Sequence, residues 1–248
     1  MANIRNTWIW GALMIPWGLV TVLLDALAIL LLAPFLGGKR AFFLIAPLWI
    51  RLMFRIAGIR MEVRGWETLP EAIRSGRQPV VFMSNHQSNL DPPVLITGIP
   101  VPAVYISKKE LIWVPIVGLA AWLGGTIFID RSKRERAIQG LKQAAREVRN
   151  GKSVVIFPEG TRTRTGKMGP FKKGGFSLAM DAGVPVIPMA TVGGFETLPP
   201  GSLRLRPGRY SIHFGEPVDP TAFDNRDTLQ QEVHRRISAL VDWAQHEA

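Results

Sequence analysis

From residue 6 to residue 38 the chain carries a single charged side chain, Asp25. Residues 13–35 within that stretch are long enough for a membrane span, which takes about 20 apolar residues. A secretory signal fits poorly, because the apolar run is too long, the charge ahead of it is thin and no Ala-x-Ala site follows. After the Gly37-Gly38-Lys39-Arg40 turn, residues 41–50 are apolar for only ten positions, and then Arg51 and Arg55 stand at helical i, i+4 spacing. That second helix has an apolar face and a cationic face, which suits the headgroup boundary better than the bilayer centre. Arg5, Lys39, Arg40, Arg51 and Arg55 place positive charge at both ends of the first helix, so both ends favour one side, the cytoplasmic one. The pattern predicts a two-helix hairpin over residues 1–58 that dips into one leaflet. A kinked single span and a buried hairpin of a soluble protein are the competing readings.

From residue 59 the pattern changes. Residues 61–64 alternate as a strand does, and short apolar runs follow at 80–84, 103–106, 126–129, 153–157 and 186–190. Helical patterns lie between several of them. The clearest covers 132–149, where Ser132-Lys133-Arg134-Glu135 reads as a capping box, Ile138, Leu141, Ala145 and Val148 form the apolar stripe, and Asn150-Gly151 ends the helix. Residues 209–214 add a late strand, and 228–243 read as a closing helix with Leu229, Val233, Ile237 and Leu240 inward. Alternation of this kind predicts an α/β domain over residues 59–248, with a mostly parallel sheet flanked by helices.

Composition narrows the partners. The 248 residues carry a formal net charge of +11, yet 47% are hydrophobic, and mean hydropathy is +0.15. Nucleic-acid binders share the charge but rarely the hydropathy, so the balance points to an anionic membrane surface or phosphorylated lipids and not to nucleic acid. With no cysteine, disulfides, thiolate metal sites and a cysteine nucleophile are excluded.

The candidate chemistry centres on residues 80–93. A buried strand gives way to the turn Ser84-Asn85-His86-Gln87-Ser88, and then Asp91-Pro92-Pro93 reads as a helix start with Asp91 as its cap. An imidazole on a strand-end turn, with a carboxylate five positions on, suits a general base and the acid that orients it. The cap reading gives Asp91 a structural reason of its own. After the strand 153–157 comes Pro158-Glu159-Gly160-Thr161-Arg162-Thr163-Arg164, a loop of hydroxyls and guanidinium forks fit for phosphate. It is no P-loop, because five residues lie between Gly160 and Gly166 in place of four, and Met168 replaces the required Ser or Thr. Arg131 follows another strand, at the kind of edge where open α/β sheets place ligands. Residues 184–190, punctuated by Pro185 and Pro188, read as an edge strand or pocket wall. Gly175-Phe176-Ser177-Leu178-Ala179 is near Gly-x-Ser-x-Gly, but it lies in a helical run without a preceding strand, so Ser177 reads as a packing residue.

Taken in order, Asn85-His86-x4-Asp91, Gly125-x-x-Phe128-Ile129-Asp130-Arg131, Phe157-Pro158-Glu159-Gly160-Thr161-Arg162 and Val184-Pro185-x-Ile187-Pro188 resemble the four blocks of the glycerolipid acyltransferases. The wording is most similar to the bacterial lysophosphatidic acid acyltransferases, over residues 60 to 220. Thr163, where a serine is common, keeps the hydroxyl. The resemblance implies transfer of a fatty acyl group from acyl-CoA or acyl carrier protein to the 2-hydroxyl of lysophosphatidic acid, at the cytoplasmic face of the inner membrane. It gives His86 the part of base and Asp91 that of its orienting acid. Arg162, Arg131 and Lys108 would hold the phosphate, and Glu159, Gly160 and Thr161 the glycerol backbone. No metal or redox cofactor is expected, the thioester being a co-substrate. A non-catalytic binder of anionic lipids, and an enzyme acting on glycerol 3-phosphate, are the alternatives.

Overall fold

The computed structural model describes residues 8–115 and 117–246; the charge expected at Arg5 lies outside them. Two long helices come first, α1 (Trp8–Leu36) and α2 (Gly38–Ala57). They are joined at Gly37, whose φ of 80° allows the reversal. The two helices pack along each other as a hairpin. One stretch of α1, Pro16–Leu36, is long and apolar enough to cross a membrane by length and composition. Most of its leucines face outward, Leu19, Leu23, Leu27 and Leu31 among them. The opposite face of the hairpin is anchored, with Ile29, Ala41, Phe42 and Ala46 in one cluster and the Arg51 guanidinium donating to the carbonyl of Thr97.

The remaining elements are β1 (Ile59–Arg64), α3 (Glu71–Arg74), β2 (Val81–Ser84), α4 (Asp91–Gly98), β3 (Ala103–Lys108), a 3-10 turn (Lys109–Trp113), α5 (Val117–Leu123), β4 (Ile127–Ile129), α6 (Arg134–Arg149), β5 (Ser153–Ile156), α7 (Gly174–Ala182), β6 (Val186–Val192), α8 (Gly194–Thr197), β7 (Gly208–Phe214) and α9 (Arg226–His246). The strands form one sheet in the order β1-β7-β6-β2-β5-β3-β4. Among the described residues β6 and β7 are the one antiparallel pair, so the sheet is mostly parallel, as the alternation predicts. Strands β2, β3, β4, β5 and β6 therefore end at one shared edge.

Side chains along β2 show how the sheet divides its two cores. Val81 and Met83 join a cluster with Ala145 and Val148 of α6, Leu178 of α7 and Leu229 and Val233 of α9. Phe82 points the other way, toward Phe54 of α2, Ile73 of α3 and Val94 and Leu95 of α4. Helices on both faces bury β2 and β6 along their whole length, which is why these two read as continuous apolar runs.

Three local expectations are corrected. Residues 186–192 are not an edge strand: β6 is central and buried throughout, between β2 and β7. Pro188 fits there because the β7 ladder ends one residue later, at Met189 and Phe214, and its carbonyl accepts from Gly215. The capping box at 132–135 does not form. Ser132 turns back, its N–H and hydroxyl both donating to Asp130, and α6 starts at Arg134 without a side-chain cap. Asp91 does not cap α4 either. It occupies the first helical position behind Leu90, and its carboxylate reaches back into the preceding loop.

Candidate active site

Strand β2 delivers the turn that carries His86 to the shared edge, and three anchors fix it there. Beyond the last paired residue of β2, the Asn85 side chain continues the ladder to β6: its Nδ2 donates to the Thr191 carbonyl at 2.9 Å and its Oδ1 accepts from the Thr191 N–H at 2.7 Å. The N–H of His86 donates to Glu159 Oε1 at 2.7 Å, and the carbonyl of His86 accepts from Thr163 N–H at 2.9 Å. The imidazole then lies flat on Phe157, ring centres 4.0 Å apart and 14° from parallel. Backbone and ring are both held before any ligand arrives.

His86 Nδ1 stands 2.5 Å from Asp91 Oδ2. The same oxygen accepts from the N–H groups of Gln87 at 2.6 Å and Ser88 at 2.8 Å. Asp91 Oδ1 accepts from the Tyr210 hydroxyl. Asp91 is fully buried, and with donors on both oxygens it serves as an acceptor only, the role of an ionised carboxylate. Nδ1 of His86 then carries the proton, and Nε2, which has no hydrogen-bond partner among the described residues, presents a lone pair. The chain has two tyrosines, and both reach this turn: Tyr105 donates to the Pro92 carbonyl at 2.7 Å. Burial, with the Asp91 charge adding to it, holds both phenols well above the usual tyrosine range, so they remain donors. Tyr210 sits in β7, far along the chain, and only its strand pattern is visible in the sequence. Gly194 makes room for it, since a Cβ there would lie 2.4 Å from the Tyr210 hydroxyl and 3.1 Å from Asp91 Oδ1.

Glu159, Gly160, Thr161 and Arg162 follow β5, the direct neighbour of β2. Glu159 is buried, and its carboxylate is fully engaged by backbone, by His86 N–H on one oxygen and Gly169 N–H at 2.7 Å on the other. Burial raises its pKa, against the two N–H donors that favour the charged form. Gly160 turns the loop at φ 72°, a conformation that β-carbons resist. The loop borders an open hollow of about 480 Å³ whose walls include Arg162, Arg164, Lys167 and Lys172. Neither Arg162 nor Arg164 makes a side-chain hydrogen bond or ion pair among the described residues, so their donors are available to an anion.

Lys108 ends β3 and Arg131 follows β4, both exposed and on the same edge as His86. Strand order puts them two and three strands from β2, about 10 and 14 Å along the edge at the usual strand spacing. Neither lines the hollow. Asp130, between them, is held well below the usual carboxylate range by Lys109, with Ser132 and Arg136 adding to it. Ser177 lies within α7 with its hydroxyl on the Lys173 carbonyl, as a helical packing residue does. Among the described residues no cluster of His, Cys, Asp or Glu is placed to hold a metal ion.

The acyltransferase family model matches residues 60–192. The 1-acyl-sn-glycerol-3-phosphate acyltransferase alpha of Ovis aries is 40% identical over 190 residues, covering 76% of this chain and 61% of the relative. The 1-acyl-sn-glycerol-3-phosphate acyltransferase of Pseudomonas aeruginosa is 37% identical over 189 residues, covering 74% and 70%. The crystal structure of the 1-acyl-sn-glycerophosphate acyltransferase PlsC from Thermotoga maritima superimposes with a TM-score of 0.73 at 26% identity, over 91% of this chain and 97% of that one.

Proposed function

The chain belongs to the acyltransferase family, and on that premise we propose that it acylates the 2-hydroxyl of a 1-acyl-glycerol 3-phosphate from an acyl-CoA or acyl carrier protein thioester, forming phosphatidic acid. The observation that carries the reading is the His86–Asp91 pair, a buried, fully engaged carboxylate behind an imidazole whose Nε2 has no partner among the described residues. Nε2 takes the proton as the acceptor oxygen attacks the thioester carbonyl, and Asp91 stabilises the imidazolium. A tetrahedral intermediate forms, the C–S bond breaks, and the departing thiolate takes the proton back from His86. The alcohol is the nucleophile, so no acyl-enzyme is required.

Arg162, with Arg131 and Lys108 on the same edge, holds the acceptor phosphate, while Gly160 and Thr161 border the glycerol backbone. Glu159 supports the site by holding the His86 backbone in place. The α1–α2 hairpin lies in the cytoplasmic leaflet of an anionic membrane, where the acceptor resides, and the thioester arrives from the aqueous side. The deciding experiment is thioester-dependent acylation of lysophosphatidic acid, with glycerol 3-phosphate as rival acceptor and His86→Ala as control. Phosphatidic acid that disappears in the variant supports the reading. Turnover that persists in it sinks the mechanism, and lipid binding without turnover in the unaltered protein returns the non-catalytic alternative.

A further inference from the structure

Between β3 and β4 the described residues 109–115 and 117–123 form a compact excursion, most of whose large apolar side chains face outward. Trp113 is 84% exposed and Trp122 59%, and Ile112, Val114, Val117 and Leu119 are exposed beside them. The excursion is built to hold that shape. Gly118 N–H donates to Val114 at 2.8 Å and Val117 N–H to Pro115 at 2.7 Å. A Cβ on Gly118 would sit 2.2 Å from the Ile112 carbonyl, so α5 is packed hard against the 3-10 turn. Water offers no reason to display two tryptophans and four aliphatic side chains on a braced scaffold.

Two features identify what covers this surface. The first is continuity with the hairpin. α5 packs on both α1 and α2, and the contact is close: a Cβ on Gly38 would lie 3.1 Å from Leu123, and one on Gly124 3.0 Å from Phe42. The outward leucines of α1 and the apolar side chains of 109–123 therefore belong to packed neighbours. The second is charge. Lys108 precedes the excursion, and Arg131, Lys133, Arg134 and Arg136 follow β4, all exposed. Tryptophan on an apolar surface rimmed by lysine and arginine is the composition that settles at the headgroup level of an anionic bilayer.

We propose that residues 109–123 are a second membrane-docking element, seated in the headgroup boundary of an anionic leaflet beside the hairpin. The proposal rests on the membrane reading of α1 and α2. Lys108 ends the strand that leads directly into this element, so its docking presses the edge that carries His86 toward the layer holding the acceptor. The hairpin tethers the enzyme, and the excursion sets its orientation.

The absence of cysteine makes a labelling test direct. Single variants Trp113→Cys, Val114→Cys, Leu27→Cys and Ala239→Cys carry an environment-sensitive fluorophore on the full chain. Each is mixed with phosphatidylethanolamine–phosphatidylglycerol vesicles with and without doxyl-labelled lipid. Leu27 reports the hairpin, and the exposed Ala239 on α9, which packs on β6, α7 and β7, reports water. Blue-shifted, doxyl-quenched emission at 113 and 114 as at 27, but not at 239, is expected. Quenching at 27 alone overturns the docking element and leaves the hairpin reading intact, while no quenching at 27 removes both. A label at 113 that answers an acidic acyl carrier protein but not the bilayer overturns the proposal in favour of a protein partner. Trp113→Ser and Trp122→Ser should each weaken vesicle binding on the order of tenfold, with turnover of a monomeric short-chain acceptor unchanged.

Discussion

The Tyr210 hydroxyl donates to the Asp91 oxygen that His86 leaves unused. The two residues are separated by 119 positions, and their meeting closes the last open acceptor on a carboxylate that has no access to water. A buried carboxylate with an unpaired oxygen would carry a desolvation cost of several kcal/mol. Tyr210 offsets that cost and fixes the plane of the carboxylate, and the plane in turn aims the imidazole.

Tyr210→Phe removes one oxygen and keeps the packing. The expected loss is about 10- to 100-fold in kcat/KM, roughly 1–3 kcal/mol, carried by kcat with KM for the acceptor nearly unchanged. Steady-state kinetics on both proteins checks it, and an unchanged kcat would count against the link through Asp91.

His86→Ala should lower kcat by about 10²–10⁴-fold, the scale a positioned general base contributes, with vesicle binding intact. Asp91→Asn should do similar damage and also lower Tm, because one accepting oxygen becomes an NH2 donor that must face the N–H or O–H donors around it. Comparing activity, thermal unfolding and vesicle sedimentation separates a catalytic loss from a folding one.

In the proposed reaction Arg162 holds the acceptor phosphate. In Arg162→Ala, KM for lysophosphatidic acid should rise about tenfold or more, and Arg162→Lys should recover only part, since a point charge replaces a bidentate fork. The same KM for both variants and the parent would remove Arg162 from the site.

Glu159→Gln breaks the tie between the two loops. One of the two N–H donors, on His86 or Gly169, then faces an amide nitrogen, a loss of about 1–3 kcal/mol in stability with activity falling alongside. The pH dependence has a definite sign. Burial raises the folded pKa of Glu159 above its ordinary 4.5, so the folded chain gives up its proton later than the unfolded one. The contribution from this group is complete below 4.5 and declines as pH rises through the folded value. Denaturant titrations at acidic and neutral pH should show this decline in the parent and its absence in Glu159→Gln.

Much of this architecture is legible in the sequence because it rests on local periodicity. Runs bounded by glycine, proline and charge give β1–β7 to within a residue or two: the central β2 and β6 are buried throughout and read as continuous runs, while β1 at the sheet edge alternates. The hairpin is legible for the same reason, a long uncharged run and then an amphipathic one. His86, Asp91 and Arg162 stand out because their motifs lie at strand ends, where the chain must turn and polar side chains gather.

The tertiary structure alone decided how those residues are held. Local rules make Asp91 a cap and Ser132 the start of a capping box, yet both side chains serve nearer and stronger partners, the His86 turn and Asp130. Pro188 suggests an edge, but strand order places β6 at the centre. Tyr210 and Gly194 reach Asp91 only because β7 returns beside β6, and α5 meets the hairpin only because α2 crosses to it. Periodicity records which way a side chain faces within its own element. Which group fills the space it faces depends on contacts between distant parts of the chain, and no local pattern encodes those.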